Sequence, residues 1–150
     1  MELTKEIKEY IDRSVLCWLA TVSNKNIPNV SPKEIFTYYK ADKIIIANIA
    51  SPNSVKNILH NKIVCVSFID ILLQKGFQII GSAEIVEKSD LNFLDMEKIL
   101  IKMTEGKFPF PSITKINITK VKPILAPKYI LYPETTEKEQ IESAKKVYRL

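Results

Sequence analysis

Apolar and polar positions recur with different periods along the chain, and these periods divide it into helices and strands. Leu3, Ile7 and Ile11 recur at helical spacing among charged residues, which predicts a short amphipathic helix over residues 3 to 13. Apolar runs rich in β-branched residues predict extended segments at 15–23, 27–36, 38–39, 43–48, 63–69, 77–87, 113–121 and 124–132. The pattern therefore indicates a mainly β chain with a few flanking helices.

Three further helices are predicted from their start signals. Ser51 as N-cap and Pro52 at the first helical position predict a helix over about 52–60, with Val55, Ile58 and Leu59 on one face. Ser89 is expected to cap a helix that runs to about Thr104, with apolar positions at Leu91, Leu94, Ile99 and Met103. Thr136 and Glu139 form a capping box, which predicts a C-terminal helix over about 136–148.

Proline and glycine mark irregular places in the predicted strands. Pro28 and Pro32 each remove a ladder donor, so their strand should lie at an edge or a bulge, where free backbone groups can meet another partner. Gly81 interrupts the 77–87 run and predicts a bulge or a close backbone approach. With no repeat or linker, six or seven mainly antiparallel strands suggest a single barrel domain over residues 1–150.

Composition and charge narrow the class of protein. The chain carries a net charge of +5, but its lysines stand near acidic residues, which favours a solvated surface over a nucleic-acid footprint. It has no apolar run of about 18 residues and no leader-like start, so we expect neither membrane insertion nor export. Cys17 and Cys65 lie in apolar runs, so buried reduced thiols and a cytoplasmic location are expected.

The catalytic and cofactor motifs that depend on His, Cys or Gly are mostly excluded. His60 is the only histidine, which disfavours Ser-His-Asp and Cys-His chemistry and, with two scattered cysteines, a zinc site. The three glycines match neither the dinucleotide fingerprint nor the P-loop. What remains is the helix start at 51–54, where free N–H groups and two hydroxyls could hold a phosphate.

Several segments together resemble the pyridoxamine 5'-phosphate oxidase-like family of FMN-binding split barrels. They lie in the same order and spacing over about residues 3–121, and they are Ala20-Thr21, Pro28 to Lys33, Ala47-Asn48, Ser51 to Asn57, Gln74 to Phe77 and Gly81 to Ala83. The resemblance implies a six-stranded antiparallel Greek-key split barrel. Its core would span about 3–123, and residues 136–148 would form a helical extension.

The resemblance also implies a homodimer with FMN in the subunit interface. The residues that it places at the ring are Val30, Ser31, Pro32, Lys33, Ile46, Ala47 and Asn48. Those that it places near the phosphate are Ser51, Asn53, Ser54 and Asn57, and those contributed by the other subunit are Gln74, Lys75 and Gly76. Family members often carry Lys and then Thr or Ser where this chain has Asn53-Ser54, so Lys56 or Lys33 would have to neutralise the phosphate.

The expected function is an FMN-dependent oxidoreductase in which the flavin carries the hydride and no side chain need act as acid or base. A cation near the N1 and C2 carbonyl edge would stabilise the reduced flavin, and the candidates are Lys33 and Lys75. The chain has arginine only at positions 13 and 149, which disfavours the family's oxidase activity on a phosphorylated vitamer. The alternatives are a flavin carrier without turnover, and a barrel that holds a deazaflavin or haem.

Overall fold

A computed structural model describes residues 1–150. Seven strands form one antiparallel sheet: β1 (Cys17–Val22), β2 (Pro28–Lys33), β3 (Phe36–Tyr39), β4 (Lys43–Asn48), β5 (Ile63–Asp70), β6 (Lys75–Glu87) and β7 (Ser112–Leu125). The helices are α1 (Lys5–Arg13), α2 (Pro52–His60), α3 (Phe93–Thr104), α4 (Pro127–Leu131) and α5 (Glu137–Tyr148). The mainly β fold with flanking helices is confirmed. No helix has the length and apolar character needed to cross a membrane.

The order of the strands closes the sheet upon itself. The order is β2-β1-β5-β6-β7-β4-β3, so β2 and β3 form the two edges. Only Glu34 and Ile35 separate these strands along the chain, so the two edges must lie together and the sheet curls into a barrel. We call this meeting of the edges the seam. The sheet has seven strands instead of the six that the resemblance implies. The bend at 34–35 accounts for the difference, because it divides one extended run into β2 and β3, which pair with β1 and β4 at opposite edges of the sheet.

The prolines and glycines occupy the irregular places expected of them. Pro28 and Pro32 lie on β2, which is an edge strand. A β-bulge falls between Ile80 and Gly81, where a Cβ on Gly81 would stand 2.5 Å from the Asn117 carbonyl oxygen. Both the edge position and the bulge were predicted, and both are confirmed.

The barrel interior is an apolar core into which α1 and α2 pack. Ile7 and Ile11 of α1 meet side chains that point inward from the strands, such as Leu19 and Phe68. Ile58 of α2 is fully buried in the same cluster, which contributes about 1.5–3 kcal/mol to folding. Of the face predicted for α2, only Ile58 is buried, since Leu59 is exposed and Val55 is half-buried.

The third helix begins later than predicted and buries a different face. The Asp90 carboxylate accepts a hydrogen bond from the Glu87 N–H at 2.7 Å, and this turn occupies the residues expected to form the first helical turn. The helix starts at Phe93 and buries Phe93, Met96 and Leu100 in a second core cluster. The predicted positions Leu91, Leu94, Ile99 and Met103 are exposed. Because this helix is apolar on several sides, its periodicity did not identify the buried side.

The C-terminal part differs from the prediction at one place. The predicted strand over 124–132 ends at Leu125, because Pro127 takes the first position of the short helix α4 instead of interrupting a strand. Helix α5 and its capping box are confirmed. It packs on its own barrel through buried Ala144 and through Ile141, which contacts the main core.

The two cysteines are free, but only one lies in the interior. Cys17 is completely buried, and burial raises the pKa of its thiol to about 12. Cys65 is half-buried, because alternation along β5 points it to the outer face while Val64 and Val66 point inward. The expectation that both thiols are buried is therefore wrong for Cys65.

Candidate functional site

Two adjoining clefts open beside the seam and share Ile49, Ala50 and Ser51. The seam cleft has a volume of about 400 Å³ and is further lined by residues 31–35, Ala47 and Phe108. The helix cleft has a volume of about 390 Å³ and is further lined by Asn48, Pro52, Val55, Lys56, Leu59, Pro111 and Ser112. Each lies within the size range of small-molecule sites.

Lys33 is the one strongly buried cation at these clefts. Its side chain lies at the end of β2 with 4% of the residue exposed, and its ammonium donates a hydrogen bond to the Ser51 hydroxyl. No Asp or Glu forms an ion pair with it. Burial lowers the pKa of Lys33 below its usual value, and the nearby Cys17 thiol partly opposes this effect. A buried cation without a counter-charge is costly, so this position favours an anionic ligand.

The start of α2 presents free donors beside Lys33. Ser51 occupies the N-cap position, but its side chain makes no capping hydrogen bond and instead accepts from Lys33. The peptide N–H groups of Asn53 and Ser54 therefore have no acceptor within the chain. Free N–H groups and the positive end of the helix dipole form a favourable environment for a phosphate.

A buried polar network beneath α2 fixes the position of the helix. The Asn57 amide donates to the Thr21 hydroxyl at 3.0 Å, and the Asn29 amide lies 3.5 Å from both the Thr21 and Ser54 hydroxyls. Ser54 and Asn57 are 1% and 7% exposed, so their side chains face the barrel instead of the clefts. Their side chains thus hold α2 on β1 and β2.

The other predicted ring and phosphate residues lie around the same place with different exposure. Ser31, Pro32 and Ala47 line the seam cleft, and Val30 stands exposed nearby on β2. Asn48 lines the helix cleft, where its amide donates to Ser112 at 3.1 Å and accepts from Thr114 at 2.9 Å. Ile46 points into the core and Asn53 is exposed.

Gln74, Lys75 and Gly76 lie elsewhere, at the start of β6, and line neither cleft. The Lys75 ammonium forms an ion pair with Glu137 of α5 at 2.8 Å and sits 4.5 Å from the centre of the Tyr129 ring. The hydrogen bond to Glu137 raises the pKa of Lys75. Within one chain, Gln74, Lys75 and Gly76 therefore lie apart from the predicted ring and phosphate residues.

Several lining residues were absent from the sequence prediction. They are Glu34, Ile35, Ile49, Ala50, Leu59, Phe108, Pro111 and Ser112. Glu34 and Ile35 directly follow the proline-containing strand, so their position could have been suspected. Phe108 lies in the Phe-Pro-Phe-Pro segment after α3, and nothing in its local sequence indicates a cleft.

The fold is shared with solved proteins of low sequence identity. A putative pyridoxamine 5'-phosphate oxidase from Lactobacillus delbrueckii is 24% identical with a TM-score of 0.66, and the alignment covers 81% of this chain and 93% of that one. An FMN-binding protein from Syntrophomonas wolfei is 15% identical with a TM-score of 0.68, covering 81% and 86%. An F420 reductase is 20% identical with a TM-score of 0.59, covering 80% and 98%.

The family assignment comes from a different comparison. Among curated proteins, none matches the chain. The family model described as pyridoxamine 5'-phosphate oxidase matches residues 3–125, which is most of the chain and ends where β7 ends. The chain therefore belongs to the pyridoxamine 5'-phosphate oxidase family.

Proposed function

We propose that the protein binds FMN across the two clefts and works as a flavin-dependent oxidoreductase. The observation that carries the proposal is the buried Lys33 ammonium, which has no acidic partner and lies against the start of α2. Bound FMN would supply hydride or electron transfer at its N5 position. The protein would supply position and electrostatics.

The phosphate would lie in the helix cleft. Ser51 and the free N–H groups of Asn53 and Ser54 would donate to its oxygens, and exposed Lys56 would add charge from the cleft wall. This arrangement uses the helix start in place of the Lys that the family often carries at position 53. The side chains of Ser54 and Asn57 would act indirectly by fixing α2 through Thr21 and Asn29.

The ring would lie in the seam cleft between β2 and the end of β4. Ser31, Pro32 and Ala47 offer small or flat surfaces there, and β2 is an edge strand with unpaired backbone groups. Lys33 stands where the two clefts meet and would face the N1 and C2 carbonyl edge. Lys75 is the weaker candidate for this role, because Glu137 already neutralises it.

The site would be completed by a second copy of the chain. A groove of about 750 Å³ elsewhere on the surface is mostly apolar, with Val15, Trp18 and Ile71 exposed on it. Ile69 and Ile71 also line a smaller cleft together with Gln74. Exposed apolar patches of this kind mark interfaces, and a partner seated here would bring Gln74, Lys75 and Gly76 to the interface. Light scattering of the purified protein should give the mass of a dimer, and Ile71→Asp should give a monomer.

The cofactor is tested by the visible absorption spectrum of the purified protein and by chromatography of what denaturation releases. Release of FMN would support the proposal. A colourless protein that does not bind added FMN in a fluorescence titration would overturn it. We further place the protein in the cytoplasm, because its two thiols are free and a reducing compartment keeps them so.

Two alternatives remain as competing proposals. A deazaflavin site is favoured by the structural similarity to an F420 reductase. Titration with F420 and FMN side by side decides between them, since tighter binding of F420 would support the deazaflavin. A flavin carrier without turnover would change its redox state with NADH or NADPH but reduce no acceptor catalytically, which steady-state assays would reveal.

A further inference from the structure

Glu34 is the only carboxylate that lines the seam cleft. Glu34 follows Lys33 at the bend between β2 and β3, and it is exposed and has no ion-pair partner. No other Asp or Glu, and no Arg, lines the seam cleft or the helix cleft. Glu34 therefore places one exposed negative charge at the seam cleft, whereas the charge of the adjacent Lys33 is buried.

An aromatic side chain also lines the seam cleft. Phe108 is 54% exposed and lines the seam cleft. Its segment is held in place two residues later, where Phe110 is buried in the second core cluster between Pro109 and Pro111. Two prolines restrict the backbone of this short segment. Phe108 is thus an exposed ring on a restricted backbone. Stacking of a planar ligand on this ring would therefore cost little conformational entropy.

We infer that Glu34 and Phe108 form the substrate subsite. This subsite would select planar, apolar electron acceptors that are neutral or cationic over anionic ones. The inference rests on the proposed function, since it takes the seam cleft as the flavin site. Glu34 would repel an anionic acceptor and Phe108 would stack on a planar one. The cleft offers no guanidinium to a phosphorylated or carboxylated substrate, and its only lysine is occupied by Ser51 and the proposed flavin edge.

A quinone is a suitable probe for this subsite. It accepts one hydride from the reduced flavin and one proton from water, and it leaves as a hydroquinone while the flavin returns to its oxidised form. Menadione supplies a neutral planar quinone, and 1,2-naphthoquinone-4-sulfonate supplies an anionic one. Because the two differ in driving force, the quantity to compare between variants is the ratio of their rate constants.

The experiment uses holoprotein reduced with dithionite and mixed with each quinone in an anaerobic stopped-flow instrument. Glu34→Gln should raise the ratio of the anionic to the neutral rate constant about five-fold at low salt, and the gain should vanish at high salt. Phe108→Ala should slow both quinones about ten-fold. Glu134→Gln is the matched control, because Glu134 is exposed and unpaired and lines neither cleft.

The outcomes separate the subsite from the cofactor proposal. An unchanged ratio in Glu34→Gln, or an equal rise in Glu134→Gln, would overturn the subsite while leaving FMN binding intact. A shift confined to Glu34→Gln and suppressed by salt would support it. A protein that neither retains FMN nor binds added FMN would overturn the proposed function, and with it the subsite.

Discussion

Replacing Lys33 with Met should stabilise the ligand-free protein and weaken its binding of FMN. Lys33 is 4% exposed, and its ammonium has the Ser51 hydroxyl as partner but no carboxylate. Substituting a buried charge by an apolar side chain of similar length removes its desolvation cost, which we expect to raise the free energy of unfolding by about 1–2 kcal/mol. Ser51 is half-buried, so water can replace the lost donor.

The stability that Lys33→Met gains over the wild type should decrease as pH rises. Burial lowers the pKa of Lys33 in the folded protein, whereas in the unfolded chain it stays near about 10.4. Between these two values the unfolded state binds more protons, so the stability of the wild-type protein rises with pH relative to the variant. The extra stability of Lys33→Met over the wild type is therefore greatest below the lowered pKa and decreases as pH rises towards about 10.4.

Lys33→Met should weaken the binding of FMN, although it stabilises the ligand-free protein. A hydrogen bond to a charged group contributes about 1.5–3 kcal/mol, so Lys33→Met should raise the Kd of FMN about 10- to 100-fold. If Lys33 faces the ring edge, the Kd of riboflavin should rise by the same factor, since riboflavin has the same ring without the phosphate. A rise in the Kd of FMN alone would indicate that Lys33 contacts the phosphate instead of the ring edge.

The assays are urea unfolding of the ligand-free protein and calorimetric titration with each flavin. Lys62→Met is the control, because it removes the same charge from an exposed side chain that makes no ion pair. It should leave the stability within about 0.5 kcal/mol of the wild type, as surface substitutions usually do. A Lys33→Met protein that is less stable and binds FMN with unchanged affinity would refute the reasoning.

Three further outcomes are expected. The reduction potential of bound FMN should fall in Lys33→Met, by about 30 mV for each 1.4 kcal/mol lost from the reduced flavin, and an unchanged potential in spectroelectrochemistry would contradict this. Gly76→Ala should destabilise the fold by more than about 3 kcal/mol in urea unfolding, because its Cβ would stand 2.0 Å from the Phe68 carbonyl oxygen; near-wild-type stability would refute the close approach. In the native protein a thiol reagent should modify Cys65 but spare Cys17, whose pKa burial raises to about 12. Mass spectrometry identifies the labelled thiol, and a labelled Cys17 would contradict the prediction.

Many of the helices and strands could be predicted from residues that are neighbours in sequence. The capping box at Thr136, the Ser51-Pro52 start and the strict spacing in α1 identify helices because each depends on neighbours in sequence. The prolines of β2 similarly identify an edge strand, since a missing N–H is tolerated only there. The buried side of α3 was not predictable, because Leu94 and Leu100 are equally apolar and only tertiary packing chooses between them.

The candidate site was only partly accessible from the sequence. Lys33, Ser51 and Ala47 were named because of the family resemblance, and they do lie together at the clefts. The burial of Lys33 could not be predicted, because a lysine at the end of an edge strand is normally solvated. Phe108 was missed because it lies far along the chain from the other residues that line the seam cleft, and only the folded barrel brings them together.

The seam has a consequence for the order in which the molecule folds. Its two edge strands are neighbours in sequence, and each forms a local hairpin, β2 with β1 and β3 with β4. The inner strands of these hairpins pair with distant segments, since β1 pairs with β5 and β4 pairs with β7. The clefts draw residues from 31–35, 47–59 and 108–112, so they are complete only when both distant pairings have formed. Non-local pairings of this kind form late and slowly. A ligand held at the seam would therefore bind after barrel closure and slow its reopening, which makes ligand retention a reporter of the intact barrel.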